Sequence, residues 1–388
     1  MRRAFRIPLA VLLWLLVVAG LAAVVVPHFL DRIYYRGPES GHFDGARFFN
    51  PDGEDTARLP GGGSRFGFFR NYVTGEDGRP EWPERVATPR AKPPARVDGE
   101  AMLVTWIGHA TVLIQTQGLN ILTDPIWAET AGPFGFGPAR VTRPGVALAD
   151  LPRIDLIVVS HNHYDHMDLP TLKTLWARDR PAIVTSLGND AILRSAGVEA
   201  TALDWGASVP VRPGIAVHVT RNHHWGSRWF ADRNRALWSS FVVRLPGGNI
   251  FFAGDTGYGD GRWPAEATAL GLVRLAIIPI GAFRFVPGQM GTGSHIGPIE
   301  AVKVHEGLGS PVSLPIHWGT FRLSFEAFDT PPRMLSALMR CTGNDSARFA
   351  PRVIGRPFDV PPVGQAPARR AASTPEQCAE RPEVQALE

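Results

Sequence analysis

The chain has 388 residues, 44% of them hydrophobic and 20% charged, which is enough apolar material to bury the core of one large domain or two small ones. Its net charge of +4 is the excess of five arginines over one aspartate within residues 1–36, so the rest of the chain sums to zero. Nucleic-acid binding needs a basic patch on the folded domain, and this distribution excludes nucleic acid as the expected partner.

Residues 7–26 form an uncharged run of 20 residues, IPLAVLLWLLVVAGLAAVVV. A helix of that length spans about 30 Å, the thickness of the hydrocarbon core of a bilayer. We therefore predict an N-terminal transmembrane helix within residues 1–30. Arginines before the run favour a cytoplasmic N-terminus, so the protein is expected in the inner (cytoplasmic) membrane as a single-pass protein with its domain outside the cytoplasm. A cleaved signal peptide with a soluble periplasmic product, or a cytoplasmic protein, remains an alternative.

Residues 31–100 are rich in Gly, Pro and Arg, yet they contain too many phenylalanines for a free tether. We predict an irregular arm that packs on the domain. Residues 359–388 are polar and rich in Pro and Ala, which is typical of a disordered tail. The two cysteines, Cys341 and Cys378, make no disulfide framework; a single bridge between them is open in an oxidising compartment, but nothing requires it.

Between arm and tail, residues 101–358 alternate strands with helices. Short apolar or β-branched runs predict strands at 102–107, 112–115, 120–123, 156–159, 183–185, 216–220, 239–245, 250–253, 275–279 and 312–316. Helices are predicted at 169–177, 299–307 and 333–340. Strands in both halves with helices between them predict an α/β fold of two sheets covered by helices, an αββα sandwich.

Histidine and aspartate follow four of these strands. The motifs are SHNHYDHMD from residue 160, NHHW from 222, GDTG from 254 and HWGT from 317. Imidazole and carboxylate are ligands of divalent ions such as zinc. His161 and His163 alternate along an extended loop and can reach one ion together with His224. Asp165, His166 and His317 then serve a second ion, and Asp255 bridges the two.

The wider motif set carries a resemblance. HxHxDH followed by a later His, Asp and His resembles the metallo-β-lactamase superfamily. TWIGHATVLIQ, ILTDPIW, GPARVTRPG, FFAGDTGY, IPIGAF and IHWGTF, in the same order along the chain, resemble its N-acylphosphatidylethanolamine-hydrolysing phospholipase D branch. The resemblance covers about residues 43–353. It implies a metallo-β-lactamase fold, two Zn²⁺ ions per chain and the seven ligands just named.

The resemblance also implies an activity. It predicts a phospholipase D-type phosphodiesterase in which a hydroxide between two metal ions attacks phosphorus, leaving phosphatidic acid and an N-acylethanolamine. Asp255, Asp165 and His295 are the expected catalytic residues, with His295 next to the phosphate. Ser294 stands where characterised animal members have glutamine.

Further residues around the site have predicted roles. His109 and Asp124 are expected to orient ligands by hydrogen bonds. Phe134 and Phe283 are expected, with Ser294, to contact the substrate, the two phenylalanines in an acyl groove. His223 competes with His224 as a ligand, although the family ligand directly precedes the tryptophan.

Other interpretations stay open. The same fold could act on a lactone or a soluble phosphodiester, or the chain could be a membrane-anchored metal-binding protein without activity. Iron could replace zinc. The expected partners are a phospholipid substrate and a membrane, and a homodimer is compatible with the sequence.

Overall fold

The computed structural model describes residues 6–53, 78–229, 231–285, 293–364 and 373–387. The chain begins with helix α1 (Arg6–Leu30), which is long and apolar enough to cross a membrane over Ala10–Leu30, with a mean hydropathy of 2.7. No part of that span is buried against the rest of the protein. The predicted N-terminal helix is therefore present and is a candidate transmembrane span.

The first sheet has seven strands. They are β1 (Met102–Gly108), β2 (Thr111–Thr116), β3 (Leu119–Thr123), β4 (Leu156–Val159), β5 (Ala182–Ser186), β6 (Thr201–Leu203) and β13 (Phe358–Asp359), in the order β13-β1-β2-β3-β4-β5-β6. Strands β3 to β6 run parallel, and β13, β1, β2 and β3 pair antiparallel. The histidine-rich motif that begins at residue 160 directly follows the carboxyl end of β4.

The second sheet has six strands. They are β7 (Ser208–Arg212), β8 (Ile215–Thr220), β9 (Ser240–Arg244), β10 (Asn249–Phe252), β11 (Val273–Pro279) and β12 (Val312–Ile316), in the order β12-β11-β10-β9-β8-β7. Strands β10, β11 and β12 are parallel to one another, so their carboxyl ends share one edge.

Helices cover the outer face of each sheet. The first sheet carries α2 (Leu169–Asp179) and α3 (Asn189–Ser195); the second carries α4 (Trp263–Thr268), α5 (Pro298–Gly307), α6 (Thr330–Cys341), α7 (Pro375–Ala379) and α8 (Pro382–Gln385). One apolar core fills the space between the two sheets. A second core lies between the first sheet and its helices, and a third lies between the second sheet and its helices. These layers confirm the predicted αββα sandwich.

The described parts of the arm lie against the domain. Phe43 and Phe48 are buried in a small cluster with Leu237 and Trp238. Residues 66–70, FGFFR, which hold three of the arm's phenylalanines, lie outside the described residues. Asp31, directly after α1, forms ion pairs with Arg235 and with Arg47 of the arm. These ion pairs fix the segment that connects α1 to the domain.

The end of the chain differs from its prediction. Residues 373–387, expected to be disordered, include α7 and α8, which pack on α6 through buried Cys378 and Val384. A disulfide joins Cys378 to Cys341 at the end of α6, and Lys303 of α5 pairs with Glu376. The mostly polar composition of this segment gave no sign of the few buried apolar side chains or of the disulfide. These contacts hold α7 and α8 in place although both helices are short.

Candidate metal centre

The predicted ligands meet at one edge of the sandwich. The loop after β4 carries His161, His163, Asp165 and His166, while His224 follows β8. Asp255 and His317 follow the parallel strands β10 and β12. The topology brings these strand ends together, although the residues are up to 156 positions apart in the sequence.

The backbone around the site adopts uncommon conformations. His109, Asp124 and His317 have positive φ angles of 52°, 31° and 64°. Non-glycine residues rarely adopt such angles, which persist where the surrounding structure fixes them. Gly254 has a φ of 61°, and a Cβ there would lie 2.6 Å from the Cβ of Ser160. A glycine before Asp255 therefore lets the two loops approach closely.

Two groups of donor atoms face each other across the site. In the first, ligand atoms of His161, His163, His224 and Asp255 all lie within 4.8 Å of one another. Nε2 of His161 and Nδ1 of His163 are 2.8 Å apart. This is the grouping predicted for the first metal ion, with the carboxylate of the bridging residue included.

The second group combines Asp165, His166 and His317 with His109, again within 4.8 Å. Oδ2 of Asp165 lies 3.4 Å from Nε2 of His166 and 3.5 Å from Nε2 of His317. The His109 ring donates to the same oxygen at 2.8 Å. This contact is compatible with the orienting role expected of His109.

Asp255 lies between the two groups. Its Oδ2 is 3.0 Å from Nε2 of both His166 and His317, and 4.0 Å from Nε2 of His224. Its Oδ1 is buried and has no hydrogen-bond partner within the described residues. This position suits a carboxylate that bridges two cations.

Hydrogen bonds fix the orientation of three histidines. Asp124 accepts from Nδ1 of His166 at 2.6 Å and from the Ser160 hydroxyl at 2.5 Å. Because that hydroxyl donates to Asp124, it accepts from Nδ1 of His161 at 2.9 Å. Nδ1 of His224 donates to the Ser294 carbonyl at 2.8 Å. Each bond engages Nδ1 and turns Nε2 towards the site.

The donor set fits metal binding. Buried polar atoms normally find a partner, because an unpaired group costs free energy. Within the described residues, several buried atoms at this site have none: Nε2 of His166, Nε2 of His224, Oδ1 of Asp255 and Nε2 of His317. Nitrogen and carboxylate donors that converge without hydrogen bonds are what a divalent transition ion requires.

The electrostatics agree with that chemistry. Burial lowers the pKa of His163 to about 3 and holds those of His161 and His224 well below their usual value, so these rings stay neutral, the form that binds metal. Burial acts to lower the pKa of His317 as well, but Asp255 and Asp165 outweigh it and raise that pKa to about 9. The carboxylates that attract a proton there would equally attract a metal cation.

The expected substrate residues have mixed positions. His295 lies at the site, its Nδ1 3.9 Å from Oδ2 of Asp255. Ser294 is buried and contributes its carbonyl to His224. Phe134 stands on an exposed loop instead of lining a groove. The assignment of Phe283 to substrate contact is wrong, because its side chain is fully buried in the core under the second sheet.

The structure distinguishes between His223 and His224, the two candidates for the same ligand position. Nδ1 of His223 is 2.8 Å from Oδ1 of Asp52 in the arm, while Nε2 of His224 faces the metal groups. Asp52, Asn50 and Ser160 are contacts that the sequence alone did not reveal. Ser160 directly precedes the histidine cluster, which is a usable signal, but the NPDG stretch of the arm resembles an ordinary turn.

Comparisons with known proteins agree with this geometry. A protein-family model described as the beta-lactamase superfamily domain matches residues 119–318 of the sequence. The chain therefore belongs to the metallo-β-lactamase superfamily. Within it, the chain falls in the branch of the N-acylphosphatidylethanolamine-hydrolysing phospholipases D, as the following relatives show.

The N-acyl-phosphatidylethanolamine-hydrolyzing phospholipase D 1 of Caenorhabditis elegans is 37% identical over 244 residues, covering 60% of this chain and 68% of the relative. The mitochondrial enzyme of the same name from Saccharomyces cerevisiae is 32% identical, covering 64% and 54%. An uncharacterised protein of Mycobacterium tuberculosis is 36% identical over 266 residues, covering 67% and 69%.

Solved structures share the fold. Igni18, a metallo hydrolase from Ignicoccus hospitalis, matches with a TM-score of 0.51 at 19% identity, covering 67% of this chain and 99% of that one. An isothiocyanate hydrolase from Delia radicum gut bacteria matches with a TM-score of 0.52 at 18% identity over the same shares. At these identities the likeness shows the architecture alone.

Proposed function

We propose that this protein is a binuclear zinc phosphodiesterase that cleaves N-acylphosphatidylethanolamine-like phospholipids to phosphatidic acid and an N-acylethanolamine. The observation that carries the proposal is the convergence of two groups of buried, unpartnered donor atoms on either side of Asp255. The relatives that carry this activity in their names, at 32% and 37% identity, support the substrate class.

The residues divide into two sets of ligands. His161, His163 and His224 would hold one zinc ion, Asp165, His166 and His317 the other, and Asp255 both. Bound zinc would lower the pKa of a water molecule to about 7 and neutralise charge that develops on the phosphoryl oxygens. Oδ1 of Asp255 would accept a hydrogen bond from the attacking water, and His295 would contact the phosphate; the unpartnered Oδ1 and the position of His295 beside Asp255 support these roles.

We further propose that α1 anchors the chain in a membrane and that the domain lies outside the cytoplasm. The apolar span Ala10–Leu30 and the arginines that precede it support that orientation. The disulfide between Cys341 and Cys378 supports an oxidising compartment as well. An anchored enzyme could draw a lipid only part way out of the bilayer, which avoids exposing both acyl chains to water.

The test is a substrate panel with the purified full-length chain. N-acylphosphatidylethanolamine in vesicles is compared with bis-p-nitrophenyl phosphate and with lactones, and phosphatidic acid is measured as the product. The proposal predicts that phosphatidic acid forms and that the lipid diester is the preferred substrate. Faster turnover of a lactone, or of the soluble diester, than of the lipid would overturn the substrate assignment.

A variant at His295 tests the substrate side of the site in the same assay. His295→Ala should lower lipid turnover and retain zinc, because the ligand sets do not include this ring. His305→Ala is the matched control, since His305 is a buried histidine that bonds only the Ser313 hydroxyl within the described residues. Equal turnover in the two variants, or loss of zinc from His295→Ala, contradicts the assigned position.

A further inference from the structure

The loop at residues 132–137, GPFGFG, presents two phenylalanines to solvent. Phe134 is 83% exposed and Phe136 is 74% exposed, and outside α1 they are the most exposed large apolar side chains of the described residues. Exposing two neighbouring aromatic rings is unfavourable in water. Such a patch marks a surface that meets an apolar partner.

Backbone contacts fix the conformation of the loop in which these two rings point to solvent. Its base is closed by a bridge between Thr130 and Ala139 and by a bond from the Ala131 amide to the Pro138 carbonyl. A Cβ on Gly132 would collide with the carbonyl oxygen of Phe136, so the turn requires glycine at that position. The aromatic tip is therefore a built feature of the fold.

Contacts connect the loop to the end of α1. The Phe134 ring lies 6.0 Å from the ring of Trp229, and the Arg32 guanidinium lies 5.6 Å from the centre of the same Trp229 ring. Arg32 is the second residue after α1, and Phe29 in the last turn of that helix is 74% exposed. The helix thus leaves the domain beside the phenylalanine loop.

Contacts also connect the loop to the metal centre. Trp229 packs edge-on against Tyr164, which stands between the predicted ligands His163 and Asp165. Beneath the loop, buried Arg140 lies 4.8 Å from the Phe321 ring, which in turn packs edge-on against His109. The loop therefore stands at the rim of the site on the side where α1 leaves.

We propose that the loop 132–137 docks into the lipid surface beside α1, with Phe134 and Phe136 among the headgroups and upper acyl chains. Aromatic rings accompanied by arginine are the side chains that favour this interface. A lipid surface is favoured over a protein partner because the patch continues the exposed apolar surface of α1. Docking would hold the rim of the metal centre at the depth of a phosphodiester headgroup. The inference rests on the membrane location proposed for α1.

The test uses the full-length chain with a single environment-sensitive label. Both native cysteines are in the disulfide, so an introduced cysteine is the reactive thiol. Phe134→Cys and Phe136→Cys are labelled with nitrobenzoxadiazole and placed in vesicles of phosphatidylethanolamine and phosphatidylglycerol. Leu272→Cys is the matched control, because Leu272 is 73% exposed but precedes β11 and so lies at the opposite end of the sandwich from the site.

Docking predicts blue-shifted emission and quenching by nitroxide-labelled acyl chains at positions 134 and 136, and neither effect at 272. Equal quenching by iodide in water at 134 and 272 would overturn the proposal. Shielding at 134 that grows with protein density, without nitroxide quenching, would show a protein contact and would overturn it too. These results stand whether or not the chain hydrolyses any lipid.

Activity supplies a second measure. The double variant Phe134→Ser/Phe136→Ser should lose roughly tenfold more turnover on vesicle lipid than on bis-p-nitrophenyl phosphate, a difference of about 1.4 kcal/mol. An equal loss on both substrates contradicts docking, because the soluble substrate needs no membrane contact. Absence of phosphodiesterase activity in the parent would instead count against the proposed function.

Discussion

The side chain of Asn50 forms hydrogen bonds with both backbone polar groups of His224. Its Nδ2 donates to the His224 carbonyl at 2.8 Å, and its Oδ1 accepts from the His224 amide at 3.3 Å. The same Oδ1 accepts from the Trp238 indole at 3.1 Å. A residue of the arm, 174 positions earlier in the chain, thus holds a predicted metal ligand in place.

Asn50→Ala should weaken metal binding without preventing folding. Partners that orient a ligand typically contribute 10- to 100-fold to metal affinity, and we expect roughly a tenfold loss because the ligand itself remains. The measurement is competition with a chelator, together with thermal unfolding of the metal-free protein. Phe49→Ala is the control, since Phe49 is a neighbouring, partly exposed arm residue. Equal affinity in both variants contradicts the positioning role.

His224→Ala and His223→Ala should differ in metal content. His224 directs Nε2 into the site, so its loss would remove a predicted ligand, whereas His223 pairs with Asp52 and lies outside both donor groups. We expect one metal ion fewer per chain in His224→Ala and an unchanged metal content in His223→Ala, which should lose stability instead. Metal analysis of the two purified variants distinguishes them, and the reverse pattern would show that the ligand assignment is wrong.

Asp124→Asn should reduce metal affinity through two histidines together. Oδ2 of Asp124 accepts from Nδ1 of His166 and from the Ser160 hydroxyl, which in turn orients His161, while Oδ1 accepts from the Ser160 amide. An amide side chain has one oxygen and cannot accept at both positions. A loss of about 10- to 100-fold is expected in the same chelator competition. Asp179→Asn is the matched control, a buried carboxylate that accepts from the Ile154 amide far from the site. The prediction fails if the control loses as much affinity as Asp124→Asn.

The disulfide should contribute measurably to stability. The bridge closes a loop over a sequence separation of 37, for which chain entropy gives about 4 kcal/mol. Replacing both cysteines by serine should lower the melting temperature and release α7 and α8 to proteolysis, with metal content unchanged. In intact cells, a maleimide reagent should label Cys341 and Cys378 only after reduction. Labelling without a reductant would contradict the oxidising compartment.

Much of the fold follows from local patterns. Continuous apolar runs such as β4 and residues 275–279 of β11 are buried on both faces, and this burial is why such runs predicted them correctly. Strand β7 was missed because Pro210 interrupts its pattern, which is tolerated at the edge of a sheet. Strand β6 has three residues, too few for a periodic signal.

Part of the candidate site could likewise be predicted from the sequence, and part could not. The candidate ligands could be selected from the sequence because metal chemistry favours His and Asp after strands, and the structure brings all seven to one edge. The roles of Asn50 and Asp52 were not predictable, since they depend on where an irregular arm packs. Phe283 was misassigned because a phenylalanine in a loop-like stretch can equally be core, and only the packing under the second sheet decides.

Metal stoichiometry is the most direct test of the central claim, that two cations share Asp255. Elemental analysis of the purified full-length chain should give two zinc ions per chain. Asp255→Ala should retain the fold, lose at least one of the ions and lose most phosphodiesterase turnover, because its carboxylate faces both donor groups. A single tightly bound ion in the parent, or full activity in Asp255→Ala, would contradict the account.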